Sequence, residues 1–219
     1  MSYAQRFSFL LFSDLHKHPD NNFDLTMLHE RLIDFLKKEK FSCDYIFIAG
    51  DVVNKCNHTD ISKGYMAKLR GAVKLPEGNT QRVFWAAGNH DIKRDKKTYR
   101  EKIIQKIRRS NNPSDAFEQK MESEESRALL TQIGMAEYLD VYKDICGFEF
   151  PTNKTLGAHR FFALKELNLF VLNTCLTSCD DNDIPKLLIL ENRLYNLFEE
   201  ARENLPTIVE AVEKIQSNA

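Results

Sequence analysis

The sequence predicts a layered α/β domain with parallel strands, because short apolar strands alternate with helical segments along its first half. Residues 7–12, 45–49 and 82–87 are three short, mostly apolar runs with polar borders, which is typical of buried strands. Between the first two runs, apolar residues recur at helical spacing behind Asp24, a predicted N-cap. A weaker helical pattern over residues 61–69 precedes the third run.

The second half of the chain changes in character after the third strand. Residues 93–142 contain no strand pattern and many charged residues, so they predict a helical insertion with a break at residues 111–114. Residues 159–164 and 169–173 then predict a hairpin. Pro185 is expected to open a long helix after it.

The composition indicates one globular domain over residues 1–219, because 42% of the residues are hydrophobic and 29% are charged. The net charge of -1 provides no overall attraction for nucleic acid or for an anionic membrane. The five cysteines form no CxxC pair, which argues against a zinc ribbon and a disulfide framework. The first apolar run is too short for a signal peptide or a membrane span. We therefore expect a cytoplasmic protein without a membrane partner.

Polar residues that could bind metal ions follow each of the three predicted strands. They are Asp14 and His16 after the first strand, Gly50 and Asp51 after the second, and Gly88, Asn89, His90 and Asp91 after the third. Because the carboxyl ends of parallel strands lie at one edge of a sheet, the three segments can converge there. Residues two apart in an extended segment point the same way, so Asp14 and His16 are expected to share one ion.

The residue types of this cluster suit divalent metal ions. Carboxylates and imidazoles together favour first-row metals such as Mn, Fe, Zn or Ni. The two oxygens of Asp51 could bridge two such ions about 3.5–4 Å apart. Such a pair lowers the pKa of a bridging water and holds phosphoryl oxygens during in-line attack. The pattern therefore predicts two divalent ions and the hydrolysis of a phosphate ester.

The three segments also resemble the motifs of a known family. Asp14-x-His16, Gly50-Asp51 and Gly88-Asn89-His90-Asp91, in this order at strand ends, resemble the first three signature motifs of calcineurin-like metallophosphoesterases. Residues 170–174 resemble the strand that follows in that family. The resemblance implies an α/β fold in which two sheets form a sandwich flanked by helices.

The resemblance also implies a role for each site residue. The first metal ion would be bound by Asp14, His16 and Asp51, and the second by Asp51 and Asn89. His90 would stabilise the transition state or protonate the leaving oxygen, with Asp91 orienting its ring. Without the resemblance, the same residues could serve as capping and turn residues of an α/β fold.

The later histidines of the family pattern have no counterpart in this sequence, because no histidine follows His159. Three explanations remain open. The chain could lack the C-terminal part of the family's domain. It could instead be a short protein that binds metal weakly or through Asp180, Asp181 or Asp183. It could also be a degenerate relative that is kept for binding or regulation.

The predicted function is metal-dependent hydrolysis of a phosphomonoester or phosphodiester, with the degenerate binding module as the alternative. A second alternative is a nuclease or nucleic-acid-binding protein, because basic residues crowd residues 93–109, directly after the third motif. A nucleotide or nucleic acid is then a possible partner. The competing interpretation of this basic stretch is a solvated helix face.

Overall fold

The computed structural model describes residues 7–16, 23–52, 59–78, 81–94, 98–150, 159–164, 167–179 and 187–204. The strands of this part of the chain are β1 (Phe9–Phe12), β2 (Tyr45–Ile48), β3 (Val83–Trp85), β4 (Arg160–Ala163) and β5 (Asn168–Val171). The helices are α1 (Phe23–Lys38), α2 (Thr59–Ala72), α3 (Tyr99–Arg108), α4 (Pro113–Glu122), α5 (Glu124–Ala128), α6 (Ala136–Cys146) and α7 (Glu191–Asn204), with a π-helical turn at Leu129–Ile133.

The first three strands form a parallel sheet in the order β1-β2-β3, and β4 and β5 form an antiparallel hairpin. The predicted parallel pairing and the predicted hairpin are therefore confirmed. In the parallel sheet, Phe12 lies opposite Ile48, and Ile48 lies opposite Trp85. This register brings the carboxyl ends of all three strands to the same edge.

The two sheets stack as layers, because successive strand residues point to opposite faces. On one face of the parallel sheet, Ile48 and Trp85 belong to the large apolar cluster that includes helical residues such as Leu36 and Leu69. On the other face, the Phe84 ring lies 4.7 Å from the Phe162 ring of the hairpin. The far side of the hairpin packs on α7. The fold is therefore a two-sheet α/β sandwich flanked by helices, as predicted.

The helical segment, residues 99–146, shares the core of the parallel sheet. Its apolar side chains, among them Ile104, Phe117 and Tyr138, are buried in the same cluster as the sheet residues. The predicted break is confirmed, since Asn112 caps α4 and Pro113 occupies its first turn. Helix α6, the last of this segment, continues to Cys146, four residues beyond residue 142, where the insertion was predicted to end.

Three details differ from the predictions. β1 is only half buried, since Phe9 is 50% exposed and Leu11 is 59% exposed. Its outer edge and part of one face are not covered by the described residues, whereas a continuous apolar run had suggested burial on both faces. α1 begins at Phe23, so Asp24 lies in the first turn and is not the N-cap. Pro185 lies outside the described residues, and the described helix begins at Glu191.

None of the helices in the described ranges is long and apolar enough to cross a membrane.

Candidate metal centre

Backbone hydrogen bonds join the loops that follow β1 and β2. The Asp14 N–H donates to the Gly50 carbonyl at 3.2 Å, and the His16 N–H donates to the Asp51 carbonyl at 2.9 Å. These bonds continue the pairing of the two strands past their ends. They fix the two segments that carry the first three predicted ligands.

The predicted extended geometry of the first motif is wrong, although its side chains do come together. Asp14, His16 and Asp51 have φ angles of 54°, 44° and 52°, in the left-handed region. Non-glycine residues seldom adopt this conformation, and it costs about 1–3 kcal/mol per residue when the surroundings impose it. Each segment therefore turns sharply at the strand end. The cross-loop hydrogen bonds stabilise these turns.

Two glycines allow the loops after β2 and β3 to touch. A Cβ atom on Gly50 would lie 2.6 Å from the Gly88 backbone nitrogen, and Gly50 itself has a φ of 92°. A Cβ atom on Gly88 would overlap the Asp51 carboxylate. Both positions therefore exclude any side chain. The Gly-Asp and Gly-Asn pairs of the sequence reflect this direct backbone contact.

The side chains of Asp14, His16 and Asp51 offer ligand atoms that all lie within 4.8 Å of one another. His16 Nε2 is 3.6 Å from Asp14 Oδ1. The Asp14 side chain is 66% exposed and His16 is 34% exposed, so the cluster opens to solvent. One imidazole and two carboxylates fit a first-row divalent ion. The structure thus brings together the three residues predicted for the first metal ion.

Asn89, predicted for the second ion, lies between two residues that contact Asp51. Gly88 packs against the Asp51 carboxylate, and the His90 N–H donates to Asp51 Oδ1 at 2.8 Å. The residue is partly buried. Its backbone is therefore next to the carboxylate that is expected to bridge the ions. A ligand role for the Asn89 side chain stays a prediction.

The His90 ring stands at the edge of the same cluster. Its centroid is 4.8 Å from that of the His16 ring, and the two planes are nearly perpendicular at 89°. His90 Nδ1 lies 3.2 Å from an Nη2 atom of Arg94. In the sequence, Arg94 was distinguished only as one member of the basic stretch 93–109. A basic residue four positions after the motif histidine was the signal that could have identified it.

Asp91 is 3% exposed, and its carboxylate binds backbone amides of two loops. Oδ2 accepts from the N–H groups of Asp51 and Gly88 at 2.8 and 2.9 Å, and Oδ1 accepts from Val52 N–H at 3.0 Å. Asp91 therefore anchors the loop after β2 to the loop after β3. Its expected role in orienting the His90 ring stays a prediction.

His159, Asn173 and Cys175 form a buried, hydrogen-bonded group near the hairpin. The His159 Nδ1 atom accepts from the Asn173 N–H at 3.0 Å, and burial, with a smaller contribution from the Arg193 charge, lowers the pKa of His159 to about 4. The Cys175 thiol donates to Asn173 Oδ1 at 3.0 Å. Burial raises the pKa of Cys175, with a further increase from Asp91, so this thiol stays protonated and unreactive.

Part of the basic stretch faces the interior. Arg100 is 6% exposed and donates to the carbonyls of Lys93, Leu176 and Ser178, at 2.9 to 3.0 Å. Arg108 donates to the Thr177 carbonyl and to Cys179 Sγ. Within the described residues of this stretch, the exposed basic residues are Lys93, Lys102, Lys106 and Arg109. Lys96 and Lys97 lie outside it, as do the proposed alternative ligands Asp180, Asp181 and Asp183.

The family model for calcineurin-like phosphoesterases matches residues 7–210 of the chain. The chain therefore belongs to the calcineurin-like phosphoesterase family. It is similar to the "uncharacterized metallophosphoesterase-like protein YydB" of Bacillus subtilis (strain 168), with 28% identity over 190 residues. The match covers 85% of the chain and 37% of YydB, so the chain spans little more than a third of that relative's length. No solved structure matches the chain significantly.

Proposed function

We propose that the chain is a metal-dependent phosphoesterase that hydrolyses a phosphomonoester or phosphodiester at a dinuclear metal site. The observation that supports this most directly is the grouping of Asp14, His16 and Asp51, whose ligand atoms lie within 4.8 Å at the ends of two adjacent strands. The ring of His90 next to His16 adds a hydrogen-bonding group at the rim of this cluster.

The residues present fit two divalent ions unequally. Asp14, His16 and Asp51 would hold the first ion, and Asp51 with Asn89 would hold the second. Mn, Fe, Zn and Ni all accept such oxygen and nitrogen ligands. When bound, the ions would supply Lewis acidity and a lowered pKa for a coordinated water. The second position has fewer protein ligands, so we expect weaker binding there.

The side chains of the chain itself would orient the substrate. Because Asp14 is largely exposed, a phosphate ester can approach the cluster from solvent. The His90 ring stands beside the ligand His16 and could donate a hydrogen bond to a phosphoryl oxygen or to the leaving oxygen. Asp91 fixes the backbone on which His90 and Asp51 are held. Together these residues would position the ester without forming a covalent bond to it.

A nucleotide or a nucleic acid is the further partner that the basic stretch suggests. Its phosphates would contact the exposed basic residues Lys102, Lys106 and Arg109. A cytoplasmic location is supported by Cys43, Cys146 and Cys175, which are buried thiols outside any disulfide.

The direct test is hydrolysis of aryl phosphate monoesters and diesters by the purified chain with each divalent ion in turn. We expect turnover with Mn²⁺ and loss of that turnover after chelation. His90→Ala should lower kcat by about 10²–10⁴-fold, which is the usual contribution of a positioned acid, base or hydrogen-bond donor. Circular dichroism should show that the variant remains folded.

A matched pair of aspartate variants separates the site from general charge effects. Asp51→Asn should abolish metal-dependent turnover, because it removes the expected bridging carboxylate. Asp34→Asn changes an exposed carboxylate on α1 and should leave turnover unchanged. If the wild type is inert with every ion, the enzyme proposal is contradicted and the degenerate binding module is favoured. Salt-dependent binding of DNA or RNA that is lost on charge reversal at Lys102 and Lys106 would favour the nucleic-acid alternative.

A further inference from the structure

Arg94 contacts the site through the ring of His90. Its Nη2 atom lies 3.2 Å from His90 Nδ1. A guanidinium group has only donors, so Nδ1 must be the acceptor in this hydrogen bond. In the neutral ring the hydrogen is then on Nε2. The contact therefore assigns the acceptor role to Nδ1 and the ring hydrogen to Nε2.

The backbone next to Arg94 is held from two sides by the helical segment. The Lys93 N–H donates to the Gly134 carbonyl at 2.9 Å, and the Lys93 carbonyl accepts from Arg100 Nη1 at 3.0 Å. The buried guanidinium of Arg100 also binds the carbonyls of Leu176 and Ser178. Helix α3 thus fixes residue 93 relative to the loop after β5.

Gly134 is required for this arrangement. It directly follows the π-helical turn, a local irregularity that often occurs at functional sites. A Cβ atom at Gly134 would overlap Arg100 Nε and would lie 2.8 Å from the Leu130 carbonyl oxygen. Only glycine therefore allows Arg100 to reach the Lys93 carbonyl. The helical segment therefore contacts the site indirectly. Gly134 and Arg100 hydrogen-bond to the backbone of Lys93, and Arg94 is the next residue in the chain.

We propose that Arg94 is a positioning residue, which holds His90 with Nδ1 as acceptor and so directs the Nε2–H group to the phosphoryl or leaving oxygen of the substrate. This inference rests on the proposed phosphoesterase function. It assigns a role to the helical segment, because that segment fixes the backbone from which Arg94 reaches His90. Arg94 acts through His90 and needs no contact with the substrate.

A double-mutant cycle in kcat tests whether Arg94 acts through His90. Arg94→Met keeps a similar apolar stem and removes every donor. In the wild-type background we expect kcat to fall roughly tenfold or more with KM nearly unchanged, since a complete transition-state donor contributes about 10²–10³ in kcat. In the His90→Ala background the same change should have almost no effect. Arg94→Lys should restore part of the loss, because an ammonium group can also donate to Nδ1.

Nitrogen-15 NMR of the imidazole rings provides a measurement that does not need activity. In the metal-free protein at about pH 8, where ordinary imidazoles are neutral, His90 Nδ1 should be unprotonated and hydrogen-bonded. Its resonance should shift in Arg94→Met. The control Lys102→Met removes an exposed basic residue of α3 and should shift neither nitrogen. His90→Ala assigns the signals.

The outcomes separate this proposal from the proposed function. An unchanged Nδ1 resonance in Arg94→Met, or a proton on Nδ1 in the wild type, would show that Arg94 does not donate a hydrogen bond to His90 Nδ1. A loss of kcat that persists undiminished in the His90→Ala background overturns the action through His90. If the wild type shows no turnover, the proposed function fails and the catalytic role of Arg94 fails with it. The NMR comparison still decides in that case whether Arg94 sets the tautomer.

Discussion

Asp91 provides the sharpest test of how the loops of the site are held together. Asp91→Asn keeps the size of the side chain but replaces one acceptor oxygen with an NH₂ donor. The carboxylate accepts from three backbone N–H groups, those of Asp51, Val52 and Gly88. Even in its better orientation, the asparagine amide must face one of these donors with its own N–H groups. At least one hydrogen bond is then lost inside a buried site.

The expected loss of stability follows from one lost hydrogen bond and one backbone amide left without an acceptor. A hydrogen bond to a charged group contributes about 1.5–3 kcal/mol, and a buried amide left without an acceptor costs about 1–3 kcal/mol. The sum predicts a loss of about 2.5–6 kcal/mol in the free energy of unfolding, which is a large part of the usual total of about 5–15 kcal/mol. With a urea m-value of about 2–3 kcal/mol/M, the midpoint should fall by about 1–3 M.

Urea unfolding followed by circular dichroism measures this loss. Asp34→Asn is the matched control, because Asp34 is exposed on α1. Its free energy of unfolding should change by less than about 0.5 kcal/mol. Asp91→Asn should also weaken Mn²⁺ binding, since the Asp51 backbone loses its anchor. An Asp91→Asn protein as stable as the control would refute the anchoring role.

Three further predictions concern other parts of the site and core. Gly88→Ala should sharply reduce Mn²⁺ affinity in calorimetry, because its Cβ would overlap the Asp51 carboxylate. Arg100→Lys should lower the free energy of unfolding, measured by thermal denaturation, by about 2–4 kcal/mol, because a lysine cannot bind three separated carbonyls at once. Stability should fall by up to about 3 kcal/mol as the pH drops from about 6.5 to about 4, because the unfolded chain protonates His159 first while the folded chain keeps it neutral. His159→Gln should remove most of this pH dependence in urea titrations.

The parallel pairing of the strands and the convergence of the motifs were predictable because both follow from short sequence patterns. Short apolar runs that end at Gly50 and Gly88 indicate buried strands followed by sharp turns, and parallel pairing brings their ends together. The grouping of Asp14, His16 and Asp51 follows from that topology. Only the extended conformation predicted for Asp14 and His16 was wrong, because both residues adopt left-handed conformations that local preference disfavours and that hydrogen bonds between the loops stabilise.

The roles of charged residues depended on contacts between distant parts of the chain. The amides of Asp51 and Val52 that bind Asp91 lie 40 and 39 residues before it, so the sequence around His90 did not indicate this anchoring role. Arg100 belongs to a run of basic residues that indicates a solvated face. Three backbone carbonyls from two loops accept its hydrogen bonds and so compensate for its burial. No local sequence pattern predicts that these carbonyls lie close together.

The metal site formed by the loops after β1 and β2 is the basis of the proposed function. Anomalous diffraction from crystals of the chain soaked in Mn²⁺ tests it most directly, with Asp51→Asn crystals as the comparison. We predict an anomalous peak in coordination contact with Asp14, His16 and Asp51, a weaker second peak beside Asn89, and neither peak in the variant. The absence of any peak at these three residues in the wild type, at millimolar Mn²⁺, would contradict the claim.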